Sequence, residues 1–72
     1  MARPDIRNSI RELRFANGEL TQQQLANAVG CSRQTIVLLE QGRYSPSLAL
    51  AFQIARYFDR RVDDVFEFVD GD

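Results

Sequence analysis

Between Thr21 and Gly42 two helix starts and two helix stops follow one another so closely that the chain can build little there except two short helices joined by a sharp reversal. Thr21-Gln22-Gln23-Gln24 has the capping-box pattern, in which the threonine hydroxyl accepts from the third residue's N–H and the glutamine reaches back to the threonine N–H. Leu25, Ala26 and Val29 then mark an inward face. Gly30 ends that helix after about two turns, because glycine takes the positive φ that a reversal demands at no steric cost. Ser32 caps a second helix over Arg33–Gln41 with Ile36 and Leu39 inward, and Gly42 terminates it. Two steeply crossing helices need a small residue at their closest approach, supplied by Ala26. They also need apolar anchors, supplied by Leu25, Val29, Cys31, Ile36 and Leu39. The stretch reads as a helix-turn-helix.

The remaining chain has helical spacing almost throughout, without linker or repeat. A helix is expected from about Asp5 to Asn17, where Ile6, Ile10 and Leu13 form a stripe and Arg3, Arg7, Arg11 and Arg14 take the other faces. Ser45-Pro46-Ser47 forms a turn, and Ser47 caps a fourth helix from Leu48 to Phe58. Leu48, Leu50, Ala51, Phe52, Ile54, Ala55 and Phe58 run around most of its circumference, which predicts the central, most buried helix. A short fifth helix near Val62–Phe66 carries Asp63 and Asp64 in its first turn, and Glu67-Phe68-Val69 can extend as a strand. The expected fold is therefore an all-α five-helix bundle, with residues 1–72 as one domain. A chain of 72 residues buries only about 60% of the surface it exposes when unfolded, so a second copy as partner is expected.

Composition removes most other functions. There is no histidine and a single cysteine, Cys31, so a disulfide framework, the common zinc sites and imidazole acid–base chemistry are all absent. No catalytic residue, metal or cofactor is expected, and an enzyme is not. No apolar run approaches a membrane span or a secretion signal, and the expected location is the cytoplasm. Net charge is only −1, yet it is unevenly placed. Residues 1–58 hold seven arginines against four acids, and residues 59–72 hold two arginines against six acids. That asymmetry permits a basic working face and an acidic far end, although a charge-mixed solvated surface explains it equally well.

The order IRELR, TQQQLA, VGCSRQTIVLLEQGRYSPSL and AFQIARYF resembles the phage-repressor and Cro-like (XRE-type) helix-turn-helix family over essentially the whole chain, and is most similar to its small single-domain members. The resemblance implies a lambda-repressor-like bundle, with a short β-pairing of the chain ends at Phe66–Val69, and a dimeric transcription regulator. It places Arg33 and Gln34 in the major groove, with Ser32 and Thr35 beside phosphate or base edges. Arginine suits guanine O6 and N7, and glutamine suits adenine N6 and N7. Gln22 matches the family's phosphate-binding residue at the start of the first motif helix, and Gly42, Arg43, Tyr44 and Ser45 match a loop beside the backbone, with Arg43 the leading phosphate cation. Arg14 and Glu40 correspond to an architectural ion pair. Tyr57 is expected in core or dimer contact, and helix five with the tail, including Val65, Phe66, Phe68 and Val69, corresponds to a dimer surface within about residues 59–70.

Three positions depart from the family pattern. Leu38 stands where a polar group is usual, with Val37 beside it. Leu38 either touches a thymine methyl or packs against a neighbouring helix or Tyr44, while Val37 is expected to pack. Asp59-Arg60 replaces glycine or asparagine followed by an apolar residue, and Asn17-Gly18-Glu19-Leu20 is one residue longer than the usual connection. Cys31 replaces the usual valine and reads as a small hydrophobe. The expected function is a sequence-specific double-stranded-DNA-binding regulator, a repressor acting as a homodimer on a near-palindromic operator, with no small-molecule ligand and no membrane partner. The alternative is a protein-interaction module such as an antitoxin or anti-repressor subunit, suggested by the acidic aromatic tail and the Val37-Leu38 patch.

Overall fold

The chain does not enter its first helix at Asp5. In the computed structural model, which describes residues 5–69, Asp5–Asn8 forms a strand, β1, and the helix α1 spans only Ile10–Ala16. The stripe that begins at Ile6 is interrupted because Asn8 turns the chain. Its Oδ1 accepts from the Ile10 N–H at 3.2 Å while its Nδ2 donates to the Leu39 carbonyl at 2.7 Å. The Ser9 N–H is taken by the Val65 carbonyl at 3.0 Å. Pairing with a distant strand satisfies the backbone of residues 5–8, and this tertiary context overrides local periodicity. Arg3, assigned to the same helix by its spacing, lies outside the described residues.

Four further helices follow: α2 (Gln22–Val29), α3 (Arg33–Glu40), α4 (Leu48–Tyr57) and α5 (Val62–Val65). Phe66 does not extend α5 but opens strand β2 (Phe66–Val69). β2 pairs antiparallel with β1 in the register Asp5↔Val69, Ile6↔Phe68, Arg7↔Glu67, Asn8↔Phe66. The bundle of five helices is thus closed by a two-stranded sheet of the chain ends.

The caps form as the residues require. Thr21 Oγ1 accepts from Gln24 N–H at 3.0 Å, and Gln24 Oε1 accepts from Thr21 N–H at 2.8 Å. Ser47 Oγ accepts from Leu50 N–H at 3.1 Å at the start of α4. The end of α4 explains the Asp59-Arg60 departure. Asp59 sits at φ +57°, its N–H donates to the Arg56 carbonyl at 3.0 Å, and the Arg60 N–H donates to the Ala55 carbonyl at 2.9 Å. Asp59 therefore takes the left-handed position that favours glycine or asparagine, which short polar side chains tolerate. In the longer connection before α2, Glu19 likewise lies at φ +55°.

Ile10, Leu25, Ala26, Val29, Ile36, Leu39, Leu50, Ile54, Ala55 and Val65 form one core, with Leu13, Leu20, Cys31, Phe58, Val62 and Phe66 packed against it. α4 is not buried all round. Leu50, Ala51, Ile54 and Ala55 face inward, whereas Leu48 is 73% and Phe52 50% exposed. α2 and the four-residue α5 pack on its inward side only, so Leu48 and Phe52 on the other side meet solvent.

Candidate nucleic-acid interface

The site is built on the α2–turn–α3 unit. Gly30, at φ +79°, closes α2 by donating its N–H to the Ala26 carbonyl at 2.9 Å, and the Cys31 N–H shares that carbonyl at 3.0 Å. α3 then begins at Ser32, whose Oγ accepts from Thr35 N–H at 3.1 Å and lies 3.0 Å from Thr35 Oγ1. The two hydroxyls lock the first turn of α3, leaving Arg33 and Gln34 exposed upon it. Among the described residues neither side chain is engaged in a hydrogen bond or an ion pair. A guanidinium and a carboxamide are thereby presented side by side on a rigid helix end, with their donors and acceptors free.

The other end of α3 is anchored to the bundle. Arg14 and Glu40 side chains are 8% and 9% exposed and meet bidentately, Nε to Oε2 at 2.6 Å and Nη2 to Oε1 at 3.0 Å. Arg14 Nη1 also donates to the Leu20 carbonyl at 2.8 Å. Glu40 Oε1 accepts a further bond from Gln22 Nε2 at 3.1 Å. The pair therefore ties α1, α2 and α3 together, and fixes the first side chain of α2. One N–H of the Gln22 amide remains for a second acceptor.

Arg43 and Tyr44 are exposed in the loop after α3, where the Arg43 N–H closes the helix on the Leu38 carbonyl at 2.9 Å. Leu38 and Val37 are each half-buried, so they are not an open apolar patch. Cys31 is half-buried against the core, and desolvation raises its thiol pKa above the ordinary value, which keeps it in the unreactive thiol form. Of the terminal residues assigned to a dimer surface, Val65 is 2% exposed and belongs to the core, Phe66 packs against that core, and Val69 is half-buried. Phe68 projects, 66% exposed. Tyr57 is exposed and stacks edge-on against Phe58 at 5.2 Å between ring centroids.

A helix-turn-helix family model matches residues 10–65, from the start of α1 to the end of α5. The chain belongs to the XRE-type helix-turn-helix family of transcriptional regulators. Its similarity to an Archaeoglobus fulgidus protein is 52% identity over 65 residues, covering 90% of this chain and 91% of that one. A Methanothermobacter thermautotrophicus protein is 55% identical over 62 residues, covering 85% and 88% of the two chains. The Bacillus subtilis protein YgzD is 41% identical over 61 residues, covering 85% and 91%. All three bear the name of an uncharacterized HTH-type transcriptional regulator. No helix among the described residues is long and apolar enough to cross a membrane.

Two features of this family member arise from how its helices pack. One is the bond from Gln22 to Glu40, which joins residues far apart in the chain and carries no local signal. The other is Phe15, half-exposed, with the guanidiniums of Arg11 and Arg14 at 5.4 and 5.3 Å from its ring centroid. The Arg11/Phe15 spacing of four residues is the signal that points to it. Phe15 lines a cleft of about 540 Å³ shared with Arg11, Thr21, Gln22 and Glu40, at the amino end of α2.

Proposed function

We propose that this chain is a sequence-specific double-stranded-DNA-binding transcriptional regulator that represses as a homodimer on a near-palindromic operator. The observation that carries the reading is the amino end of α3, where Arg33 and Gln34 stand exposed on a turn fixed by Ser32 and Thr35. In a helix-turn-helix the second helix enters the major groove with its first residues at base edges while the first helix crosses the backbone. Arg33 then reads guanine and Gln34 reads adenine, each bidentate pair contributing about 1–3 kcal/mol of discrimination. Half-buried Leu38, one turn further along α3, keeps enough exposed surface for a thymine methyl.

Phosphates are held around this contact. Gln22 offers its remaining amide N–H together with the open backbone N–H groups at the start of α2. Arg43 supplies a free charge from the loop after α3, with Tyr44 beside it. One two-turn helix reads only a few base pairs, so two copies with recognition helices about 34 Å apart multiply the discrimination. Phe66, Phe68 and Val69 at the chain end form the seam.

Selection of bound sites from random duplexes by the purified chain tests the proposal. The expected product is a pair of inverted half-sites about one helical turn apart. Failure to enrich any sequence overturns DNA reading, and enrichment of a lone half-site overturns the dimer. In titrations of the selected duplex, Arg33→Ala relaxes preference at one position, whereas Arg43→Ala weakens all sequences alike and lowers the salt slope by about one.

A further inference from the structure

We propose that the groove between α4 and α5 receives the acidic, aromatic carboxyl-terminal strand of a second copy of this chain. The inference rests on the homodimer reading given above and names the surface that the strand meets. The groove measures about 620 Å³; Phe52, Ala55 and Val62 form its apolar part, and Arg56, Arg60 and Arg61 stand along it with Asp63. Arg61 is occupied by Asp63, Nε to Oδ1 at 3.5 Å. Among the described residues Arg56 and Arg60 have no carboxylate within ion-pair distance. The groove is therefore apolar at its centre and positive at its rim, a surface that selects an apolar side chain flanked by carboxylates.

Two occupants are excluded by this chemistry. A second groove packed face to face on the first sets arginine against arginine. The chain's own strand is held in register against β1, with Ile6 opposite Phe68, and the Phe68 ring stays 66% exposed, so it does not fill the groove of its own copy. Among the other exposed aromatic residues, Phe52 lines the groove itself, Phe15 stands under two guanidiniums, Tyr44 follows Arg43 and Tyr57 follows Arg56. Phe68 alone is set among acids, with Glu67 before it and Asp70 and Asp72 after it in sequence. Because α5 leads directly into β2, groove and strand are neighbours on each copy, and mutual exchange about a two-fold axis closes the assembly at two.

The test uses sedimentation velocity of the full chain without DNA, over a concentration series, with circular dichroism to establish folding. The wild type dimerises. Arg56→Glu/Arg60→Glu makes both groove and tail acidic, and Glu67→Lys/Asp70→Lys makes both basic, so each variant repels itself. The four ion pairs lost in either dimer raise Kd by about fourfold or more. An equimolar mixture restores a 1:1 dimer near the wild-type Kd, because each tail then meets a groove of opposite sign. Phe68→Ala, whose ring is exposed in the monomer, also weakens dimerisation while leaving the helical spectrum unchanged. If the folded variants dimerise as the wild type does, or their mixture fails to reassociate, the strand-in-groove contact is refuted while the homodimer itself stands. A wild type that stays monomeric refutes both.

Discussion

Replacing Glu40 with alanine strands the Arg14 guanidinium in the bundle with the Leu20 carbonyl as its remaining acceptor. The charge is buried, 8% exposed, and it loses both oxygens that neutralise it. Breaking a buried pair from one side costs about 3–5 kcal/mol, because the uncompensated ion stays desolvated. For 72 residues at about 0.05–0.15 kcal/mol each, total stability is about 4–11 kcal/mol, so the substitution removes about a quarter of it or more. Urea unfolding followed by far-ultraviolet circular dichroism reads this directly. With a slope near 1 kcal/mol/M, the midpoint falls by about 3 M or more. Glu40→Gln keeps one oxygen for the guanidinium and loses only the charge-assisted part, about 1.5–3 kcal/mol. Arg14→Met/Glu40→Leu removes both ions and is expected within about 2 kcal/mol of wild type. A loss below about 1 kcal/mol for Glu40→Ala, the range of a solvated surface pair, refutes the reasoning. So does a double variant no better than the single one.

Gly30→Ala costs about 1–2 kcal/mol in the same assay, because φ is +79° while the space around the position is open, so strain acts without a clash. Asp59→Gly runs the other way, since Asp59 already occupies the left-handed region at φ +57°, and gains up to about 1 kcal/mol. Burial raises the Cys31 pKa, so its contribution is complete below the unfolded thiol value of about 8.5 and is lost as pH rises through the folded value. Urea midpoints therefore decline on the alkaline side more for wild type than for Cys31→Val. Equal declines refute that origin.

The helix-turn-helix was legible because everything that defines it is local. Thr21, Gly30 and Ser32 act on backbone groups within a few residues, so their roles follow from spacing alone. Helix α1 was misread at its start because the Ile6/Ile10/Leu13 stripe satisfies a helical period, while the deciding contacts of Asn8 and Ser9 reach Leu39 and Val65. The apolar residues around most of α4 predict the most buried helix because periodicity counts apolar faces and not the elements available to cover them, yet Leu48 and Phe52 remain open. Within the site, the residue types at 33, 34 and 43 name their chemistry. The tether from Gln22 to Glu40 does not appear in any short window, since it depends on how α2 and α3 cross.

Asn8 acts as a strut. Its amide grips the last turn of α3 at the Leu39 carbonyl from the strand that joins the two chain ends, at the end of that helix opposite Arg33. Whatever steadies the strands also sets the pitch of the helix that carries Arg33 and Gln34. On the proposed reading, residues 33 and 34 can therefore be exchanged to change which bases are read without disturbing that brace, whereas a change at Asn8 alters the helix's tilt with its letters left intact.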